Sequence, residues 1–391
     1  MKITRIEPIL LTAPLDSGPV AWSGGHIPMF CACLVRVHTD AGISGLGETY
    51  GGLFAPEAAK AIVEHYETMA IGLDASDVGG VWNRLYMGGL FWGRAGFAVS
   101  VLSAIEMALW DINGKALDLP AYKLLGGKVH DRLRIYASGG LDGTAEEFRR
   151  ELQGYVEKGF TAVKIRGGYG PRYDGARATL ARETLGEARY LMMDMVQGHN
   201  PRPWSAAEAI VVAEAVGDAD LTWLEEPCAA YDYDGYAKVR AKARMPISGG
   251  ESSTTLHEFK HFFDRAALDV AQPDAAHCGG MAEFCKIATA ANAAGVRVVP
   301  HAWGSGPALT SNYHAAFTTA NCFMVEFPTI ENPLRHALLV EPLQVVDGFL
   351  LPPTAPGLGL ELTDDVIARY PFNRDAVVRP RFDRADPTGW L

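Results

Sequence analysis

The sequence predicts an α/β protein: a modified (β/α)8-type, TIM-like barrel with an α+β capping domain built from the N-terminal region and the C-terminal tail. Three observations predict it. From about residue 133 onward, short apolar runs alternate with amphipathic segments eight times. A closed ring of parallel strands with helical crossovers requires that pattern. Residues 1–125 instead mix a strand meander with helices, and the chain after 330 ends in a Pro/Gly-rich stretch, "PPTAPGLGLEL" (352–362). The expected organisation is a capping domain over 1–125, the barrel over 126–330 and a segment over 331–391 returning to the capping domain.

In the capping domain, strands are expected near 2–11, 30–38 and 44–49. Helical periodicity marks 56–70 and, most strongly, 97–117, which contains "AVSVLSAIEMALWDINGKA". The barrel strands are expected within "LRIYASGG" (133–140), "TAVKIRGG" (161–168), "YLMMDMV" (190–196), "LTWLEEP" (221–227), "MPISGGE" (245–251), "LDVAQPDA" (268–275), "VRVVPHAW" (296–303) and "CFMVEFP" (322–328). Seven strand–helix units with a substitute element at one end fit almost as well. Three intervening helices open with capping boxes, Thr144-x-x-Glu147, Ser205-x-x-Glu208 and Thr255-x-x-Glu258. In the tail, "LQVVDGFLL" (343–351) reads as strand and loop on the way back to the first domain.

Composition narrows the function classes. The chain has 391 residues and a net charge of −11, which argues against nucleic acid and anionic membrane surfaces as partners. No apolar run reaches about 18 residues, so no membrane span is expected. The six cysteines contain no CxxC pair and read as reduced core residues of a cytoplasmic protein. "MKITRIEPIL" lacks a cleavage site and a long apolar stretch, and reads as a first strand rather than a signal peptide.

"LTWLEEP" poses the central puzzle, because an apolar strand ends in two adjacent carboxylates. The other runs answer it. At or near their C-terminal ends stand Lys164 and Arg166, Asp194, Glu225, Glu251, Asp274, His301 and Glu326. Successive steps from Lys164 are 30, 31, 26, 23, 27 and 25 residues, about one β/α unit each. In a barrel those ends meet at a single mouth, so these groups converge.

Asp194, Glu225 and Glu251, on three consecutive strands, offer hard oxygen ligands that repel one another unless a cation sits between them. Mg2+ suits them, one ion per active site, whereas zinc would call for His or Cys. Lys164 and Arg166, two apart on a strand, share a face and suit an anionic substrate. Asp274 can fix the tautomer of His301 and leave its other nitrogen as a general base. Glu326 can act as an acid partner or complete a salt bridge. The glycine-bearing stretches 14–29 and 49–54 are expected to cover the mouth, with Trp22 and His26 as candidate substrate contacts.

These motifs resemble the enolase superfamily, mandelate racemase-like subgroup. "SAIEMALWDINGKALDLPAYKLLGG" (103–127) is similar to the family's joint between capping domain and barrel, and "AVKIR" to its K-x-K/R strand. "MMDMV", "WLEEP" and "SGGES" resemble the three metal-ligand strands, with the first Glu of "LEEP" aligned to the ligand. "AQPDAAHCGG" and "VVPHAWGSG" resemble the Asp–His dyad, and "VEFP" the last acid. The last strands are most similar to acid-sugar dehydratases and aldarolactone cycloisomerases.

The resemblance implies Mg2+ on Asp194, Glu225 and Glu251, a base formed by Asp274 and His301, and a substrate carboxylate held by Lys164 and Glu326. It also implies a homo-oligomer. Two positions depart from the pattern. Val196 replaces a polar residue two after the first ligand. Arg166 stands where racemases carry a lysine base, and a guanidinium cannot readily accept a proton.

The expected reaction is therefore abstraction of the proton α to a carboxylate. It leads through an enediolate to syn-dehydration of an acid sugar to a 2-keto-3-deoxy acid, or to opening of an aldarolactone by the same first step. Rival readings are a metal-free Schiff-base aldolase on Lys164, a metallohydrolase barrel (disfavoured by the lack of an HxH pair on an early strand) and a non-catalytic acid-sugar-binding barrel.

Overall fold

The structure is a computed structural model and describes residues 1–15 and 18–382. Asp16 and Ser17 of the predicted covering loop, and 383–391 of the tail, lie outside the described residues.

Strands Ile3–Ala13, Phe30–Thr39 and Ser44–Thr49 form an antiparallel sheet with the long middle strand at its centre. Helices Pro56–Ala70, Val78–Gly88 and Phe97–Leu117 pack with it. The alternating glycines of "SGLGET" have a steric cause. A Cβ at Gly45 or Gly47 would stand 2.0 or 1.9 Å from the carbonyl oxygens of Ala108 and Ala104. The strand therefore lies directly on the backbone of Phe97–Leu117, which only glycine allows.

That helix is long and apolar enough by length and composition alone to cross a membrane, but 89% of its apolar window is buried inside the protein. It is the core helix of the capping domain, and it carries two buried carboxylates. Asp111 accepts bonds from Leu46 N, Leu358 N and Lys115 Nζ at 2.9, 2.8 and 2.6 Å, joining strand, tail and helix. Glu106 accepts from Met281 N and Ala282 N, both at 2.9 Å, and from Trp110 Nε1.

Among the described residues, eight parallel strands make the barrel: Leu133–Ser138, Ala162–Arg166, Tyr190–Asp194, Trp223–Glu225, Ile247–Gly249, Val270–Ala271, Arg297–Val298 and Met324–Pro328. Each pairs with the next, the first with the last, and a bridge between Val298 and Cys322 closes the ring. The eighth strand is followed only by the short helix Pro333–Ala337, so the ring also fits the alternative of seven strand–helix units with a substitute element at one end.

Capping boxes occur at Thr144/Glu147 and Ser205/Glu208 as predicted. The third box does not form, because the N-cap is Thr254 and its side chain accepts no bond from the helix. Thr254 precedes the helix, and Glu258 accepts from its N and Oγ1, both at 2.6 Å. Thr255 is the first helical residue, with φ of +56°, and this left-handed step lengthens the expected spacing by one.

The tail also differs from expectation. Val345–Val346 and Phe349–Leu350 form a hairpin paired to the start of the first barrel strand, so they stay with the barrel. Only the later residues reach the capping domain, through Leu358 to Asp111, Leu362 O to Arg36, and Asn373 N to Thr12 Oγ1. Arg379–Pro380 then adds a third strand to a hairpin, Val20–Trp22 and Gly25–Ile27, that the sequence reading treated as loop. All six cysteines are unpaired thiols.

Candidate active site

Strand register sets the site. Arg166 is laterally paired with Asp194, and Asp194 with Glu225. These three therefore stand at one level, at the C-terminal ends of adjacent strands. Glu251, Asp274 and His301 lie two or three residues beyond their strands, where the backbone has already turned over the mouth. Ligand atoms of Asp194, Glu225 and Glu251 lie within 4.8 Å of one another. The loop after Asp194 is tightly wound: Val196, a β-branched residue, has φ of +53° and donates its N–H to Asp194 Oδ1 at 2.8 Å.

Lys164 is fully buried between two carboxylates, 2.5 Å from Glu225 Oε1 and 3.0 Å from Glu326 Oε1. Burial alone would lower its pKa, but Glu225 and Glu326 raise it, so the ammonium persists. Arg166 reaches Asp194 at 3.3 Å, Glu326 at 3.8 Å and Ser138 Oγ at 3.1 Å.

Glu326 also accepts from Ser138 Oγ, Ala302 N and Trp303 Nε1. Burial would raise its pKa, yet Lys164, His301 and Arg166 hold it well below the usual carboxylate range. Asp194 and Glu225 shift the other way. Burial raises both, and the neighbouring carboxylates add to it, against the opposing cations Arg166 and Lys164. Crowded, buried carboxylates of this kind fit a divalent cation.

His301 is anchored through Nδ1, 2.7 Å from Asp274 Oδ2. Asp274 is aimed by Asn312 Nδ2 and Ala276 N, both 2.7 Å from its other oxygen. Nε2 is left facing Glu251 at 3.7 Å. Burial would lower the imidazole pKa, but Glu251, the Asp274 hydrogen bond and Glu326 bring it up to about 9. Tyr50 of the capping domain lies edge-on against the ring, with centroids 5.1 Å apart.

The enclosed space is roofed by Trp22, Ile27, Tyr50, Leu53 and Phe54, and floored by Arg166, Asp194, Glu251, His301 and Trp303. Trp22 is thus where the sequence placed it. His26 is not among the lining residues. It pairs with Arg379 on the small sheet, and strand alternation gives the inner face to its neighbour Ile27.

Three residues placed at the site escaped the sequence reading. Asn312 is a helix residue with no strand-end signal. Tyr50 was seen only as part of a loop. His199 sits five residues past Asp194, outside the pattern of one charged group per strand end, and lines the same space. It stands 3.7 Å from Glu251 Oε1 and 3.8 Å from Glu226 Oε2, edge-on to Trp22.

Comparison with known proteins agrees with this geometry. Residues 6–126 match the mandelate racemase / muconate lactonizing enzyme N-terminal domain, and 147–366 the enolase C-terminal domain-like family. The chain is 33% identical to the D-galactarolactone cycloisomerase of Agrobacterium fabrum over 387 residues, 95% of this chain and 99% of that one. It is 32% identical to the D-galactonate dehydratase of Verminephrobacter eiseniae, covering 85% and 89%. Among solved structures, it superposes on the 3,6-anhydro-D-galactonate cycloisomerase of Zobellia galactanivorans with a TM-score of 0.84 at 32% identity, covering 95% and 99%.

Proposed function

The chain belongs to the mandelate racemase / muconate lactonizing enzyme family of the enolase superfamily and is a lyase or isomerase of that superfamily; from that premise we propose that it removes the proton α to the carboxylate of an acid sugar and expels the β-hydroxyl, giving a 2-keto-3-deoxy acid. The observation that carries this reading is the His301–Asp274 pair, whose second ring nitrogen faces Glu251 in the cavity that Arg166 and Asp194 also line.

Asp194, Glu225 and Glu251 would hold Mg2+, one ion per site. The bound ion would neutralise charge that develops on the substrate carboxylate. Lys164 and Arg166 supply fixed positive charge beside it. A general base contributes about 10²–10⁴-fold, or ~3–5 kcal/mol, against a total of roughly 8–23 kcal/mol. Preorganised charge must provide the rest.

His301, whose pKa its neighbours raise, needs to be neutral to act. Glu251 is the neighbour that raises its pKa most, and a cation held by Glu251 would oppose that effect. After taking the C2 proton, His301 can return it to the departing 3-hydroxyl on the same face. Arg166 cannot serve as an opposing base, which disfavours racemisation. Lys164, held as an ammonium by two carboxylates, is unsuited to forming a Schiff base, so the aldolase reading falls away.

A second reading, opening of an aldarolactone by expulsion of the ring oxygen, uses the same first step. The likeness to D-galactarolactone cycloisomerase over nearly all of both chains favours it. Screening acid sugars and aldarolactones with Mg2+ and with chelator, with products identified by NMR, separates the two. Dehydration of an open-chain acid supports the first, and turnover of lactones alone supports the second. Binding without turnover throughout would support a non-catalytic barrel.

Cytoplasmic residence is proposed on the six unpaired thiols. A homo-oligomer is proposed on the exposed Leu90-Phe91-Trp92 cluster, where Phe91 is 96% exposed. Light scattering in solution tests it.

A further inference from the structure

Glu226, the second carboxylate of "LEEP", has no place in the chemistry above, yet it is the costlier of the two to bury. It is 1% exposed, and neither Oε1 nor Oε2 has a hydrogen-bond partner. Its contact with His199 Nδ1 is 3.8 Å, too long for a hydrogen bond.

The position is not slack. Glu226 has φ of +44°, its N–H donates to Ser248 O, and its carbonyl accepts from Gln197 N, both at 3.0 Å. Gly198 lies against the carboxylate so closely that a Cβ there would come within 2.1 Å of Oε1. The chain on either side is thus built around a bare, inward carboxylate, and an uncompensated buried carboxylate is expensive.

Ligand atoms of His199, Glu226 and Glu251 all lie within 4.8 Å of one another. Glu251 turns Oε1 toward His199 and Oε2 toward His301, so one carboxylate faces two neighbouring positions.

We propose that His199, Glu226 and Glu251 form a second divalent-cation site, sharing Glu251 with the Asp194–Glu225–Glu251 set. Its donors differ in kind from the first. Three carboxylates suit Mg2+, whereas an imidazole with two carboxylates suits a cation that accepts mixed nitrogen and oxygen ligands, Mn2+ or Zn2+. This site stands independently of which substrate the enzyme takes.

The test is Mn2+ binding to the full-length protein, counted by equilibrium dialysis and electron paramagnetic resonance. Mn2+ enters either donor set and avoids the thiols. Wild type is expected to bind two ions per chain. Glu226→Gln, which is isosteric, and His199→Ala, at the cavity rim, are each expected to bind one. Asp194→Asn is also expected to bind one, which separates failure of the first site from failure of the second. Thermal melts confirm folding, and either second-site variant alone suffices. A single wild-type ion that both Glu226→Gln and His199→Ala keep, or two ions retained in both variants, overturns the proposal.

Discussion

Lys164 Nζ lies 2.5 Å from Glu225 Oε1, with both side chains wholly buried. A lysine from the second strand thus neutralises a carboxylate that the proposed chemistry assigns to a metal ion. Trp223 Nε1 and Gln272 Nε2 occupy the other oxygen of Glu225, at 2.9 and 2.7 Å. Four charged groups, Lys164, Arg166, Glu225 and Glu326, therefore balance one another inside the barrel.

Removing the lysine should expose that balance. Lys164→Met leaves Glu225 and Glu326 short of a cation, and breaking a buried pair costs about 3–5 kcal/mol. The variant is expected to melt lower than wild type without divalent metal, and to recover more than wild type does when Mg2+ is added. Calorimetry with and without Mg2+ measures both. An equal Mg2+ response in the two proteins would count against a cation sharing Glu225 with Lys164.

The orientation of the base depends on Asn312, which holds Asp274 without facing the cavity. Asn312→Ala should lower kcat by about 10–100-fold, a fraction of the full contribution of a general base, and leave KM nearly unchanged. Steady-state kinetics on the substrate found by screening gives this split. A change in KM alone would assign Asn312 to packing.

Two capping-domain carboxylates fasten the cap to the barrel by seating on helix starts. Glu106 takes Met281 N and Ala282 N, and Glu48 takes Ser305 N, Ser305 Oγ and Ala308 N. Burial, opposed by those bonds, raises both pKa values from 4.5 to about 7. A folded state that holds protons more tightly than the unfolded chain loses stability as pH rises from about 4.5 to about 7, and changes no further above that. Denaturant unfolding at pH 5 and pH 7.5 should show that loss. Glu48→Gln should reduce it by about 1–3 kcal/mol, since one pKa unit is worth about 1.4 kcal/mol. An unchanged pH difference in the variant would refute the assignment.

The indole of Trp22 closes over the cavity beside His199. Trp22→Ala should raise KM several-fold through lost contact area, with a smaller fall in kcat, because the base and cations are held by the barrel. Kinetics on the same substrate checks this. A loss confined to kcat would mean that Trp22 acts on the chemistry instead.

The strand-end residues were legible because a barrel converts regular sequence spacing into spatial convergence. Lys164, Asp194, Glu225 and His301 each end one apolar run, and the spacing alone brings them to one mouth. What the sequence hid lies off that rule. His199 and Glu226 sit in loop backbone whose path is set by left-handed residues, Val196 and Glu226 itself, which periodicity does not reveal. Asn312 acts from a helix, and its polar side chain looks like any other helix residue. Glu48 and Glu106 bond across some 175 to 260 residues of chain, a separation no local pattern reports. The hairpin at 20–27 was missed because its strands have three residues each, too few to show alternation.

The most direct measurement is turnover by His301→Asn on the substrate identified by screening, alongside Mg2+-dependent binding of that substrate. The asparagine can still bond to Asp274 but cannot take up a proton. The account predicts that turnover falls by at least about 10²-fold while binding stays near the wild-type level. Turnover at the wild-type rate would remove the imidazole from the reaction, and the enolising mechanism with it.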